Sequence, residues 1–548
     1  MTRVALGFAN RAGLAQTNLG FRIVEAILAG RKGLLLERFY LPERGLPLAR
    51  GSLRTTPSGA ALSAVDALLF SLSFEGDALH VPAMLSAGGL PVRSAERRRG
   101  HPLVVAGGAA VMINPEPLTP FFDLFLVGEA EELLVRFLDC WEALRHAPRG
   151  ELLAALDELP GALVPQMRRH QIWSPREGRL GDGGQVSLAR PARSADGGTE
   201  NPAVPLKDAQ APVETVKWEG VAQTVVAARL PPESHFRESL LLELERGCPR
   251  GCRFCVASRI YAPLRVHDPD SLLAYAEHDV RPGERIGLLG LSAGDYRHLD
   301  RLTEQLVRCG WRISISSLPP DFHRPRVVAD LVRSGTTTIT IAPETGTDRL
   351  RALAGKNVGN DAILRTARLL GEAGVLNLRT YFLIGLPFER EADVIGIARL
   401  LAEIRGVLPS GRRLSATVNP FVPKPRTPFQ WAAMASRARL EGSIRVLRRE
   451  MPPGVQLRIK SSREARLHAA LTRGDATWGA RIERAALEGR ALHQQLRSEG
   501  SDLEAWTGSI DPDAPLPWGY LISEREMAEL QRQWRGAQEE AGSPGAPA

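Results

Sequence analysis

Leu240-Leu241-Leu242-Glu243-Leu244-Glu245-Arg246-Gly247 runs directly into Cys248-Pro249-Arg250-Gly251-Cys252-Arg253-Phe254-Cys255. The first half reads as a buried strand ending in a loop. The second gathers three of the chain's five cysteines at C-x3-C-x2-C spacing, with Phe254 just before the last. A strand followed by a ligand-bearing loop is where an α/β barrel places its chemistry. Three thiolates this close can ligate three irons of a 4Fe–4S cluster and leave the fourth iron open. The competing readings are weaker. A hydrophobic core does not group three cysteines beside Pro, Gly and arginines. Zinc wants a fourth N or S ligand, and the next histidine, His267, lies in a polar stretch with no second cysteine pair. A disulfide would leave one thiol over.

On the spacing, the aromatic residue and the strand–loop context, the chain resembles the radical S-adenosylmethionine (SAM) superfamily. The resemblance extends to a bacterial family that fuses a cobalamin-binding-like domain to a radical SAM core. Four further segments carry it: Val104-Val105-Ala106-Gly107-Gly108, Leu126-Val127-Gly128-Glu129, Leu291-Ser292-Ala293-Gly294-Asp295-Tyr296 and Asn419-Pro420-Phe421-Val422-Pro423-Lys424-Pro425. It covers most of the chain and implies fold and cofactors better than reaction, because one fold hosts many functions.

At 548 residues the chain is too long for one core. Its hydrophobic fraction of 44% is ordinary for a globular protein. No apolar run reaches bilayer length, so no membrane partner is expected. The N-terminus reads as a strand and lacks a signal-peptide layout. Cys140 and Cys309 are isolated in helical patterns, so no disulfide framework is indicated and a reducing cytoplasm is the expected compartment. The net charge of +8 would suit a nucleic-acid partner. Against that, the arginines are dispersed apart from Arg97-Arg98-Arg99 and no RNA-binding module is appended; nucleic acid is disfavoured, not excluded.

Residues 1–150 alternate strand signals (Val4–Phe8, Leu34–Phe39, Ala67–Phe74, Leu103–Ala106, Phe121–Val127) with helical ones (Leu19–Leu28, Glu131–Leu144). This predicts an α/β fold with a doubly wound parallel sheet, whose ligands bind at the carboxyl ends of the strands. The loops there carry Thr17, Asn18, Ser71, Ser73, Gly107, Gly108, Gly128 and Glu129, which either admit a large flat ligand or simply make tight turns. The family resemblance assigns them to a Rossmann-like cobalamin domain, although the D-x-H-x-x-G signature of a cobalt-ligating histidine is absent. Residues 151–235 form a connecting segment. Within it Gly161–Pro165 reads as a short strand, and 181–211 is too rich in Gly, Asp, Ser and Pro to fold alone.

Residues 236–435 hold six strand–helix repeats, with strands at Leu240–Leu244, Ile286–Leu291, Arg312–Ser316, Thr337–Ala342, Leu378–Ile384 and Ser415–Asn419. That number suits a partial (β/α)6 TIM-type barrel. Arg379 and Tyr381 share a face of one strand. Residues 436–548 read as a small helical region, with helices at Glu441–Glu450 and Arg481–Gln495. Leu516-Pro517-Trp518-Gly519-Tyr520 reads as a rigid element docked on the barrel mouth, and Gly542–Ala548 as a disordered tail.

The resemblance implies roles residue by residue. Cys248, Cys252 and Cys255 are the cluster ligands and carry the catalysis. Arg246 and Arg253 flank them, either steadying the thiolates or as solvated arginines. Gly294 and Asp295 match the motif whose backbone and carboxylate hold the SAM amino group, with Ser292 and Ala293 in place of its usual glycine-rich start, and capping of the next helix is the rival role for Asp295. Ser316 would face ribose hydroxyls. Glu344 would meet a SAM hydroxyl or an arginine, or else cap the helix from Asp348. Gly385 resembles the element that backs the adenine. The implied activity is reductive cleavage of SAM to a 5′-deoxyadenosyl radical, used for cobalamin-dependent methylation of an unactivated carbon. The alternatives are a radical SAM enzyme without cobalamin (methylthiolation, cyclisation or another C–H functionalisation, with RNA among the substrates) and a non-catalytic iron–sulfur redox sensor. An enzyme of this kind needs an external electron donor such as flavodoxin or ferredoxin.

Overall fold

The computed structural model describes residues 1–168, 171–174, 179–182, 207–222, 226–230, 239–280, 283–498 and 503–542. The expected linker 181–211 and tail 542–548 therefore lie mostly outside the described residues. The chain forms two compact units. One comprises Met1–Trp218, Ala470–Trp506 and Ile510–Met527; the other comprises Glu219–Ala469, Thr507–Ser509 and Ala528–Ala548. The helical C-terminal stretch is thus divided between them. Among the described residues no helix is long and apolar enough to cross a membrane.

The first unit is built on β1 (Thr2–Phe8), β2 (Leu34–Tyr40), β3 (Ala67–Ser71), β4 (Leu103–Gly107), β5 (Leu124–Leu126) and β6 (Ala162–Leu163), in the order β2-β1-β3-β4-β5-β6. The first five pair in parallel and β6 closes the edge antiparallel. The central strands β3, β4 and β5 are almost wholly apolar and buried because both faces are covered. On one face Phe8, Phe21, Phe137, Leu138 and Trp141 pack together. Elsewhere in the unit Phe39, Phe70 and Phe122 meet edge to face, with ring centroids 5.0 and 5.4 Å apart. The strand order reverses between β1 and β3, which opens the ligand crevice of doubly wound sheets at their carboxyl ends.

Leu516–Tyr520 packs into this first unit. The Tyr520 hydroxyl donates to the buried Glu116 (2.8 Å), its backbone carbonyl accepts from Val213, and Arg168 lies over its ring. The periodic stretch Arg481–Gln495 is two helices, Trp478–Glu488 and Leu492–Ser498, because Gly489 ends the first in the left-handed conformation (φ 65°).

The second unit is a partial barrel. Its parallel strands are β7 (Ser239–Glu243), β8 (Arg285–Leu289), β9 (Arg312–Ile315), β10 (Thr338–Glu344), β11 (Asn377–Ile384), β12 (Arg413–Pro420) and β13 (Val455–Ile459). β7–β9 and β10–β13 form two arrays joined by a single bridge between Leu318 and Ile341. A short strand, Ala227–Arg229, pairs antiparallel to β7. The six expected strands are all present, and β13 is a seventh that the sequence reading placed among helices. Its alternation is real, Val455, Leu457 and Ile459 toward the core and Gln456 and Arg458 exposed, but it lies between two helices and is only five residues long.

Apolar spacing explains the outer helices. Asn360–Glu372 buries Ile363, Thr366, Ala367 and Leu370, one helical face. Pro325–Arg333 and Pro269–Asp279 each begin with proline, whose missing N–H costs nothing there.

Glu116 offers a test of the first unit. Burial raises its carboxyl to about 7, against a smaller lowering by the Tyr520 hydroxyl. A carboxyl that holds its proton longer when folded loses stability as pH climbs from its unfolded value of 4.5 to about 7. Glu116→Gln should therefore unfold like the parent below pH 4.5 and be the more stable protein above pH 7, by roughly 2–4 kcal/mol. Urea unfolding across pH reads this; parallel curves for the two proteins would contradict it.

Candidate active site at the barrel mouth

Beyond β7 the chain makes a short antiparallel pairing, Glu245–Arg246 with Arg265–Val266, and then turns at Gly247. Gly247 has φ 95°, and a Cβ there would sit 2.7 Å from the Pro263 carbonyl and 2.8 Å from that of Tyr261. Only glycine suits that turn. The cysteine loop follows at the carboxyl end of the barrel strand. Its shape is held by the Cys255 amide on the Cys252 carbonyl (3.2 Å) and the Ser258 hydroxyl on the Cys255 carbonyl (2.8 Å). It is also pinned from outside. The Arg253 amide donates to the Ala354 carbonyl (2.9 Å), and the Arg253 carbonyl accepts from the Phe429 amide (3.2 Å).

All three thiols are free, Cys252 being buried and the others partly so. Burial pushes up the thiols of Cys248 and Cys252, the latter to about 11, and each is raised further by the charge of its neighbours among the three. Thiolates here are costly until an electrophile binds them, which is what a metal cluster provides. Of the other two cysteines, Cys140 belongs to the first unit and Cys309 is exposed at a helix end. Among the described residues no three His, Cys, Asp or Glu side chains could hold a single metal ion. Three free thiols on one loop fit the protein-held corners of a 4Fe–4S cubane.

The flanking arginines are both engaged by partners within the protein. Arg246 makes a paired contact with Glu243 (3.1 and 2.9 Å), and Arg253 reaches the Leu353 carbonyl and both oxygens of Glu540. The helix Glu524–Gly542, which carries Glu540, also seats Trp534 against Phe388 and Phe429, so it straps the cysteine loop. Two cations that the sequence reading passed over take up the site. Lys356 lowers the Cys252 thiol and donates to the Ala342 carbonyl (2.7 Å) and to Glu344 (3.0 Å). Arg250, within the cysteine loop, grips Asp295 with two nitrogens (2.7 and 2.9 Å) and Asp321 with a third contact of 2.9 Å.

Asp295 follows β8. Burial alone would raise its carboxyl, but Arg250 and the Ser292 hydroxyl hold it below the usual value. It does not cap the next helix, whose N-cap is His298 without a side-chain bond. Two carboxylates around one guanidinium leave a net negative charge, suited to an ammonium. Ser292 is buried with its amide on Glu245 (3.1 Å), and Gly294 lies so tight on Pro319 that a Cβ would overlap it at 2.2 Å. Glu245 is a second acid the sequence reading missed. Burial raises it to about 7, and the Asp295 charge adds to this. Its signal was its place, three residues before the first cysteine on the edge of a strand.

Glu344 ends β10 with φ 69°, a strained value for a residue with a side chain. Its partner is Lys356 and not an arginine, and it caps nothing, since Thr347 is the N-cap of the following helix. Ser316 is exposed after β9. Gly385 ends β11 with φ 78°, its amide on Glu389 (2.8 Å) and its open face against Leu440 and Ala435.

In the first unit the residues assigned to a cobalamin site occupy the carboxyl edge of the sheet. The Asn18 amide donates to the Ser73 hydroxyl (2.9 Å), which ties the loops after β1 and β3 across the crevice. Thr17 turns back onto the Gly13 and Leu14 carbonyls. Ser71 ends β3, and Gly107 is followed by Gly108, which at φ 109° lies 2.6 Å from the Leu72 carbonyl measured from its would-be Cβ. Gly128 and Glu129 are taken up by the chain itself, Gly128 against Val216 and Glu129 accepting from the Trp218 amide (3.1 Å). Leu14 and Phe74, on the loops after β1 and β3, are 49% and 57% exposed, so the crevice has apolar sides. This edge fits a large, partly apolar ligand at β1 and β3 better than at β5.

Comparison with known proteins agrees with this two-part layout. The family model for the N-terminal part of radical SAM proteins matches residues 20–165, and the radical SAM superfamily model matches residues 242–401. An uncharacterized protein of Methanocaldococcus jannaschii is 26% identical over 416 residues, 75% of this chain and 78% of its own. The ribosomal protein uS12 methylthiotransferase RimO of Salinispora tropica is 31% identical over 184 residues, only 30% of this chain and 35% of its own. Among solved structures, the radical S-adenosylmethionine methyltransferase TsrM of Kitasatospora setae, with cobalamin and a 4Fe–4S cluster bound, shares the fold. Its TM-score is 0.52 at 13% identity, over 89% of this chain and 100% of that one. The three free thiols after the first barrel strand and both matched segments place this chain in the radical SAM superfamily, enzymes that work with an iron–sulfur cluster and SAM.

Proposed function

We propose that this enzyme cleaves SAM reductively at a cluster held by Cys248, Cys252 and Cys255, and uses cobalamin held by its N-terminal sheet to methylate an unactivated carbon. The observation that supports the reading most is three free thiols on one loop, tied through Arg250 to the Asp295 carboxylate at the end of the adjacent strand. When bound, the cluster supplies the electron that splits SAM, and cobalamin supplies a transferable methyl group. The protein's part is to bind, orient and exclude water. Asp295, set by Arg250 and the Ser292 hydroxyl, presents a carboxylate to the SAM ammonium. Lys356 brings positive charge toward Cys252 and holds Glu344 for a hydroxyl partner. In the first unit Asn18, Ser73, Leu14 and Phe74 would line cobalamin at the β1/β3 crevice, and the neighbour sharing this fold was solved with cobalamin bound.

Methylthiolation, the activity in the name of the RimO relative, is the second reading. The first unit offers only Cys140 to a further cluster, on a helix with its thiol pushed up by burial, and this disfavours it.

After anaerobic reconstitution, Cys252→Ala should lose the cluster's EPR signal and all release of 5′-deoxyadenosine from SAM; unchanged turnover would refute the ligand assignment. Asp295→Asn should keep the cluster but weaken SAM binding by about ten- to a hundredfold, the worth of one charge-assisted hydrogen bond. Hydroxocobalamin should co-purify near one per chain, and Phe74→Asp should cut its retention while leaving the cluster intact. Formation of S-adenosylhomocysteine only when corrinoid is present would support methyl transfer. A chain that retains no corrinoid would leave SAM cleavage standing and remove the methylation reading.

A further inference from the structure

The inner face of a barrel is normally filled by side chains. In the β10–β13 array the outward positions, including Ile339, Ile341, Leu378, Phe382, Leu414, Ala416 and Val418, are buried under the helices. The inward positions are open. Arg379 and Tyr381, in the middle of β11, are both exposed, Tyr381 by 39%. Register places Tyr381 beside Thr417 and Thr417 beside Arg458, while Arg379 lies beside Ser415 and Ser415 beside Gln456. Arg458 and Lys460 continue the same face on β13, and both are exposed. The side chains of Arg379, Arg458 and Lys460 make no hydrogen bond or ion pair among the described residues. The inward acid on these four strands is Glu344, already paired with Lys356. Neighbouring strands lie about 4.8 Å apart and alternate residues about 6.8 Å, so the three cations and the ring fall within one ligand's span.

We infer that this concave face binds the substrate, and that the substrate carries phosphate groups and a flat ring: a nucleotide unit, free or within an RNA strand. Unpaired cations on a rigid sheet, held apart by the strands, are complementary to phosphates, and an exposed ring in their midst is a stacking platform for a base. Short polar neighbours, Thr338, Thr340, Ser415 and Thr417, leave room above the sheet and offer hydroxyls to a ribose. The inference rests on the barrel being the seat of SAM cleavage and adds the chemistry of what is bound there.

Calorimetric titration of the reconstituted enzyme with three probes tests it: ADP, a short single-stranded oligoribonucleotide and inorganic pyrophosphate. ADP or the oligonucleotide should bind, with affinity falling as salt rises. Whichever binds more tightly tells the free nucleotide from the strand. The double variant Arg379→Gln/Arg458→Gln should weaken binding at least about tenfold. Tyr381→Ala should weaken the ring-bearing probes and spare pyrophosphate. Lys460→Gln, just beyond the strand, should act in the same direction and serves if the double variant folds poorly. No binding of either ring-bearing probe, or undiminished binding by the variants, overturns the inference; pyrophosphate binding as tightly as ADP removes the ring's part in it. Assaying the parent enzyme both for probe binding and for 5′-deoxyadenosine release separates the two readings. Probe binding without SAM cleavage keeps this inference and sinks the radical one, and cleavage without probe binding does the reverse.

Discussion

A loop that must hold three thiols open at the end of a barrel strand cannot satisfy its own backbone, and the rest of the second unit is arranged around that constraint. Strand pairing ends at Arg246, and the chain leaves it through a positive-φ glycine pressed between two carbonyls. Nothing regular follows until the short helix Ala257–Ile260. The loop's amide and carbonyl at Arg253 are therefore taken by Ala354 and Phe429, residues far away in sequence that belong to the ends of later strand–helix repeats. The Arg253 guanidinium adds the Leu353 carbonyl and Glu540. A buried backbone group left without a partner costs on the order of 1–3 kcal/mol, so each of these contacts is a condition for the loop's shape.

The second constraint is charge. Cysteine thiolates and buried acids gather at one end of the barrel, and their cations come from unexpected places. Arg250 is shared between Asp295 and Asp321, and Lys356 between Glu344 and the field of Cys252. The segment bearing Lys356 is itself organised by Arg351, which is fully buried. It donates to the carbonyls of Pro343, Thr345 and Val358 and to the side chains of Asp348 and Asn360. One guanidinium thus closes the turn after β10, where Glu344 is held in a strained conformation. Positive charge continues on the inner face of the β10–β13 array, where Arg379 and Arg458 lack an ion-pair partner among the described residues.

The first unit solves a different problem with the same logic. A parallel sheet buried on both faces leaves ligands only its strand ends. At β1 and β3 the loops are tied by Asn18 to Ser73 and by Asn10 to Asp77, and they still expose Leu14 and Phe74. At β5 the chain returns and fills the edge with Val216 and Trp218. Gly108, against Leu72, and Gly128, against Val216, thus both serve close chain packing in this fold.

Sequence alone determined the grouping of three thiols on one loop, the sheet and the six repeats. Cysteine spacing and apolar periodicity are local properties, and a loop that binds metal must keep its ligands within a few residues. It also located Asp295 and Glu344, because strand ends are legible. It did not tell which cation each acid meets, that Arg246 pairs with Glu243 and Arg253 with Glu540, or that Leu516–Tyr520 belongs with Glu116 and Arg168. β13 escaped because five alternating residues between helices bury only half a face. The inward direction of Arg379 and Tyr381 was open in the sequence, since alternation names two faces without saying which is covered. Only packing of helices on one side of the sheet decided that, because hydrophobic burial acts between elements distant in the chain and not along it.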